Sequence, residues 1–156
     1  MSQDKAIFNT EYRIYLEDTD AGGIVYHANH LKLFERCRRD WLRSLGMTSY
    51  FYRSHSQNKS QNQQDNGLPD IQFVVSKANI RYLRPILLDS LVKVNIADLT
   101  VKNTSLLLVQ QIWLDDVLLS EADITIACVA TSKNDKGQTE VRPTRLPRDF
   151  VKLFEI

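Results

Sequence analysis

The chain has 156 residues, a hydrophobic fraction of 43% and a charged fraction of 25%, values ordinary for one water-soluble domain spanning residues 1–156. A formal net charge of +1 gives no bulk reason to expect nucleic acid or a membrane surface as partner. Cys37 and Cys128 are too few and too far apart for a CxxC redox pair or a four-cysteine zinc site, and reduced thiols in the cytoplasm are the simpler expectation. No apolar run approaches the ~20 residues that cross a bilayer, and residues 1–5 lack the apolar core of a signal peptide.

Residues from about Ile7 to Leu16 alternate, with Phe8, Tyr12, Ile14 and Leu16 on one parity, which predicts a half-buried strand. Residues 17–30 then gather three acids, two glycines and two of the chain's three histidines. Gly22 and Gly23 permit a sharp turn there. From about Asn29 to Leu45 the period changes. Leu31, Phe34, Cys37, Trp41, Leu42 and Leu45 recur on one helical face, while Lys32, Arg36, Arg39, Asp40 and Arg43 fit the other. Asn29 or a residue near it is the expected N-cap and Gly46 the left-handed stop.

A short helix or aromatic turn is expected at 48–55. The stretch 56–67 has no large apolar residue, so burial cannot offset its ordering entropy and a mobile polar loop is expected. Strands follow. One runs through Ile71, Phe73 and Val75 and resumes at Ala78, Ile80 and Tyr82 after a parity shift that suggests a bulge at Ser76-Lys77. Others cover Leu91–Val101, Thr104–Leu114 and Val117–Thr131. The Thr104–Leu114 strand is apolar on both faces and reads as central. Asn134–Gly137 is a loop, and Pro147–Phe154 a short terminal helix. The order predicts an α+β layer with an antiparallel sheet wrapped on one long helix. Its outer apolar rows call for an oligomer.

No GxSxG, HExxH, Walker or GxGxxG pattern is present. What remains is a carboxylate, Asp20, beside a glycine turn and a helix start, whose unpaired N–H groups around Tyr26 and His27 could stabilise an oxyanion. A carboxylate so placed suits attack on, or water activation toward, an electrophilic carbonyl such as a thioester. On residue chemistry alone, Asp20 reads more readily as a turn or cap residue than as a functional acid.

The run Tyr15–His30, followed by Leu33-Phe34-Glu35-Arg36, resembles the signature of the YbgC-type acyl-CoA thioesterases, in the 4-hydroxybenzoyl-CoA thioesterase branch of the hotdog fold. Phe73-Val74-Val75, Ala122-Asp123 and Ala127-Cys128-Val129 extend the similarity to nearly the whole chain. The resemblance implies a hotdog fold, hydrolysis of an acyl-CoA to a carboxylic acid and CoA, and homodimers or homotetramers with sites between subunits. It implies no metal and no cofactor beyond the CoA of the substrate. Asp20 matches the catalytic aspartate, as nucleophile or general base. The His27 N–H matches the oxyanion donor, and the His27 imidazole matches a histidine of this type that orients water or substrate. Tyr26 is expected in the acyl pocket wall, Asp18 in turn stabilisation, and Glu35 in a helix-surface ion pair with Arg38 or Arg39. Arg81, Arg84 and Lys133 are candidates for the CoA phosphates. Two departures stand out: His30 replaces a tyrosine, and the 56–67 loop is long. The alternative is a non-catalytic hotdog module that holds acyl-CoA or acyl carrier protein. A hotdog hydratase is disfavoured, because no Asp-x-x-x-x-His pairing falls on the helix.

Overall fold

The structure, a computed structural model, describes residues 5–47 and 70–155. The expectations for 48–55 and 56–67 lie outside the described residues.

Strand β1 covers Phe8–Arg13 and pairs antiparallel with β3, Leu91–Val101. Its inward side chains are Phe8, Thr10 and Tyr12, the expected parity. The alternation stops sooner than the sequence suggests. Leu16 does not continue the buried row but opens a single 3-10 turn, Leu16–Asp18, and is 75% exposed. The reason is local: the Asp18 carboxylate accepts the Tyr15 N–H at 2.8 Å, which diverts the chain from extended pairing.

Helix α1 covers Asn29–Ser44 and packs on β1 and β3. Leu33, Phe34, Cys37, Trp41 and Leu42 are buried along one side. Leu31, expected on that face, is exposed, and Leu33 takes the inward position. The N-cap is the neighbouring residue Ala28, which makes no side-chain bond, and Asn29 Nδ2 donates to the Asp18 carbonyl at 2.9 Å. Gly46 ends the helix at φ +82°, the left-handed stop read from the sequence.

The remaining strands are β2 (Asp70–Tyr82), β4 (Ser105–Leu114), β5 (Val117–Lys133) and β6 (Thr139–Pro143), and the terminal helix α2 covers Arg148–Lys152. All pairings are antiparallel, in the order β1-β3-β4-β5-β2, with β6 beside the far end of β5. The register of β2 slips between Val75 and Lys77, where the parity shift implied a bulge. Strand β4 is central, as its two apolar rows indicate. Leu106, Leu108, Gln110 and Ile112 of β4 face inward with Ile124, Ile126 and Cys128 of β5. The sheet and its one long helix form the α+β hotdog arrangement that the resemblance implies.

The interior includes an arginine. Arg38, 7% exposed, donates to Gln110 Oε1 at 2.9 Å, and Gln110 Nε2 donates to the Phe34 carbonyl at 3.0 Å. Burial lowers the Arg38 pKa, opposed chiefly by the Glu35 charge. Glu35 itself is exposed on the helix surface.

Candidate active site

The junction between β1 and α1 is held by backbone bonds to the loop after β2. Val25 N–H donates to the Ile86 carbonyl at 2.8 Å, and Leu88 N–H to the Gly23 carbonyl at 3.2 Å. Isolated bridges join Thr19 to Val25 and Ile24 to Leu87. The tight turn at Asp20–Gly23 is closed by Gly23 N–H on the Asp20 carbonyl at 3.1 Å, with Gly23 at φ +78°. A Cβ there would be strained, so glycine is required by conformation.

Two aspartates leave this junction differently. Asp18 is 7% exposed, with its carboxylate 4.0 Å from the Arg36 guanidinium. Its carbonyl accepts Tyr26 N–H at 3.0 Å as well as Asn29 Nδ2. Asp20 is exposed. Its Oδ1 accepts the Gly22 N–H at 2.8 Å, and among the described residues its Oδ2 has no partner.

Asp20 borders a cavity of about 450 Å³. His27, Arg84 and the buried His30 line it together with apolar Val25 and Ile86. The His27 ring is exposed and lies 4.4 Å, centroid to centroid, from Tyr26, while its carbonyl accepts the Tyr82 hydroxyl at 2.9 Å. At the start of α1, Tyr26 N–H is taken by Asp18, so it is not an available donor. Among the described residues, the His27 and Ala28 N–H groups have no hydrogen-bond partner. These are the free amides of the helix start, where positive partial charge accumulates.

The structure therefore brings Asp20, His27 and Arg84 to one cavity. It leaves Tyr26 outside the lining, half-exposed against His27. Arg81 turns along the sheet surface and pairs with Glu121. Lys133 ends β5, thirteen residues from Ser120 at the cavity end of that strand, or roughly 40 Å along it. Within one protomer it cannot share this cavity with Asp20, because strand length separates them. Sequence reasoning did not single out Tyr82 or Ser120. Both reach the cavity region through the β2–β5 pairing, which places Tyr82 beside Ser120. Only the register could reveal that. Among the described residues, no group of three or more His, Cys, Asp or Glu is placed to hold a metal ion.

The family model of the thioesterase-like superfamily matches residues 14–154. The chain belongs to this superfamily. Within it the chain stands with YbgC-type proteins. It is 33% identical to the acyl-CoA thioesterase YbgC of Haemophilus influenzae over 147 residues, covering 94% of this chain and 93% of that one. It is 31% identical to the acyl-CoA thioester hydrolase YbgC of Escherichia coli over 150 residues, covering 96% of each. Among solved structures, the probable thioesterase from Bartonella henselae superposes with a TM-score of 0.66 at 26% identity, over 90% of this chain and 97% of that one. No described helix of this thioesterase-superfamily chain is long and apolar enough to cross a membrane.

Proposed function

We propose that the protein hydrolyses the thioester of an acyl-CoA, releasing a carboxylic acid and CoA, with Asp20 as the reacting carboxylate. The observation that carries the reading is Asp20 itself. Its Oδ1 is tied to the turn amide of Gly22, which orients the group, while among the described residues its Oδ2 has no partner, and the residue borders a cavity near a helix start. In one form Oδ2 attacks the carbonyl carbon and the C–S bond breaks to leave a mixed anhydride and the CoA thiolate, which then takes a proton. Water afterwards cleaves the anhydride. In the other form Oδ2 takes a proton from the water that attacks. In both, oxygen gains negative charge, and the unpaired His27 N–H supports a stabilising contact there. The His27 ring at the rim supports a role in orienting water or the acyl carbonyl. Arg84, exposed and bordering the cavity, supports a contact with a CoA phosphate. The apolar strand faces support assembly into dimers or tetramers, and the cytoplasm suits a free-thiol protein acting on CoA esters.

The test is thiol release from acyl-CoAs of graded chain length. Turnover on at least one, abolished by Asp20→Asn, is the expected result. Oxygen-18 water then separates the two forms: label appearing in the Asp20 carboxylate over several turnovers marks the anhydride route. Tight binding with no thiol release on any member would point instead to a module that holds acyl-CoA or an acylated carrier protein.

A further inference from the structure

One polar group of the cavity has no part in the proposed reaction. His30 stands in the first turn of α1 with 3% of its surface exposed. Its Nδ1 lies 2.9 Å from Ser120 Oγ on β5, and its ring meets Tyr82 edge-on at 4.8 Å between centroids. The ring lines the same cavity as Asp20.

The bonding around Ser120 fixes which ring nitrogen carries the proton. Ser120 is fully buried, and among the described residues His30 is the one hydrogen-bond partner of its hydroxyl. A proton on Nδ1 would make the serine oxygen the acceptor and leave the serine hydrogen buried without one, at a cost of about 1–3 kcal/mol. The alternative avoids this: the Ser120 hydroxyl donates to an unprotonated Nδ1. The ring proton then sits on Nε2. Burial, and after it the nearby His27 charge, lowers the His30 pKa from 6.5 to about 4. At neutral pH the ring is therefore uncharged and Nε2–H is its one N–H donor.

The ring that carries this donor lines the cavity. Among the described residues Nε2 has no partner. Yet the side-chain polar atom among them that is fully enclosed without a partner is Asn95 Oδ1, not a histidine nitrogen. Nε2 is thus reached from the space the ring lines. Burial grades the lining of this space. Asp20 and His27 are exposed at the rim, whereas His30 is buried with Val25 and Ile86 close to the cavity wall.

We propose that His30 Nε2–H is a substrate-binding donor that selects acyl groups carrying an acceptor oxygen, a hydroxyl or carbonyl, beyond the thioester. Ser120 is the positioning residue that holds its tautomer. The inference rests on the thioesterase reading of this cavity. A hydrocarbon acyl group would cover the donor without pairing it, and such a site discriminates strongly.

The full chain is assayed with two matched pairs: hexanoyl-CoA against 3-hydroxyhexanoyl-CoA, and benzoyl-CoA against 4-hydroxybenzoyl-CoA. In at least one pair kcat/KM should favour the oxygen-bearing member by about tenfold or more. His30→Phe should bring that ratio close to one, and His30→Gln, which keeps an N–H donor, should hold part of it. Nitrogen-15 NMR of the histidine-labelled wild-type chain should show His30 protonated at Nε2 and bare at Nδ1. A ratio near one in both wild-type pairs overturns the proposal. So does an equal loss on both members in His30→Phe, which would move the contact to the thioester carbonyl, and so does a proton on Nδ1. If the wild-type chain hydrolyses none of the four and no member of the graded series, the thioesterase reading falls instead. Calorimetric titration of the same pairs then decides this one: tenfold tighter binding of an oxygen-bearing member supports it and equal binding overturns it.

Discussion

Within residues 17–30, the two aspartates, the two histidines and the two glycines each divide between contrasting surroundings. Asp20 and His27 are exposed at the cavity rim, while Asp18 and His30 are buried beneath it. Gly22 is exposed and sits against the Asp20 carboxylate, while Gly23 holds the left-handed backbone, and a Cβ added to it would meet nothing within 4 Å. The same chemistry therefore serves two purposes within a few residues. Groups whose polar atoms are used up by the protein hold the junction, and groups with one atom left over can meet a substrate. Asp18 shows the first case: its carboxylate and carbonyl together engage Tyr15, Tyr26 and Asn29, with Arg36 nearby. Asp20 shows the second, with one oxygen bound and one unpaired.

The largest expected effect separates the two aspartates. Asp20→Asn keeps the Oδ1 acceptor for Gly22, so the turn should survive. Turnover should drop roughly a thousandfold, with Tm within about 2 °C of wild type. Steady-state thiol release and a thermal melt read both. Near-normal turnover would remove Asp20 from the mechanism and leave the pair without a functional contrast.

The buried histidine adds a pH signature. Its pKa is lowered to about 4 in the folded chain against 6.5 when free. As pH falls through this window the unfolded chain takes up a proton that the native ring refuses, so stability declines. It is complete above pH 6.5 and has no more to lose below pH 4. The full contribution is at most about 3 kcal/mol. Urea unfolding at pH 7 and at pH 4.5 should show a smaller acid loss in His30→Gln than in wild type. Equal acid losses would argue that His30 is not held neutral by burial.

Asp18→Ala should cost about 1–2 kcal/mol, because the Tyr15 N–H loses its acceptor. A melt several degrees lower is expected, with turnover of the folded enzyme reduced less than tenfold. A loss of turnover as large as that of Asp20→Asn would show that the support and the rim are not separable.

Much of this is legible in the sequence, and what is not has identifiable physical causes. Strand β3 runs over Leu91–Val101, as its alternation indicates, and the bulge near Ser76 follows from a parity change. Local periodicity records burial of one face, and these elements have such faces. Strand β6 escapes such a reading because Thr139–Pro143 is mostly exposed and ends in proline, so its pairing with β5 leaves no apolar pattern. Leu16 has the right parity but the wrong fate, since one side-chain bond from Asp18 ends the strand. The Asp20 region is legible through its motif. The His30–Ser120 contact is not, because it joins residues 90 apart through the sheet register. Lys133 shows the same limit from the other side: composition marks it as a surface cation, but only topology tells which end of β5 it occupies.

The glycines give the smallest and most discriminating contrast. A Cβ on Gly22 would lie 3.2 Å from Asp20 Oδ1, so the carboxylate must move by a few tenths of an ångström to admit it. Gly22 has no positive φ, and the backbone itself should tolerate alanine. Gly22→Ala is therefore expected to reduce turnover about three- to tenfold while leaving the melt almost unchanged. Gly23→Ala inverts this. Space is open around it, but φ +78° strains any residue with a side chain, at about 1 kcal/mol. Its melt should drop by a few degrees, with turnover near wild type at low temperature, because no cavity atom is displaced. Activity and melting measured on both variants thus test whether reaction geometry and junction stability reside in different atoms. If the two alanines behave alike in both readouts, the position of the Asp20 carboxylate does not limit the reaction, and the division between rim and support fails where it is drawn most finely.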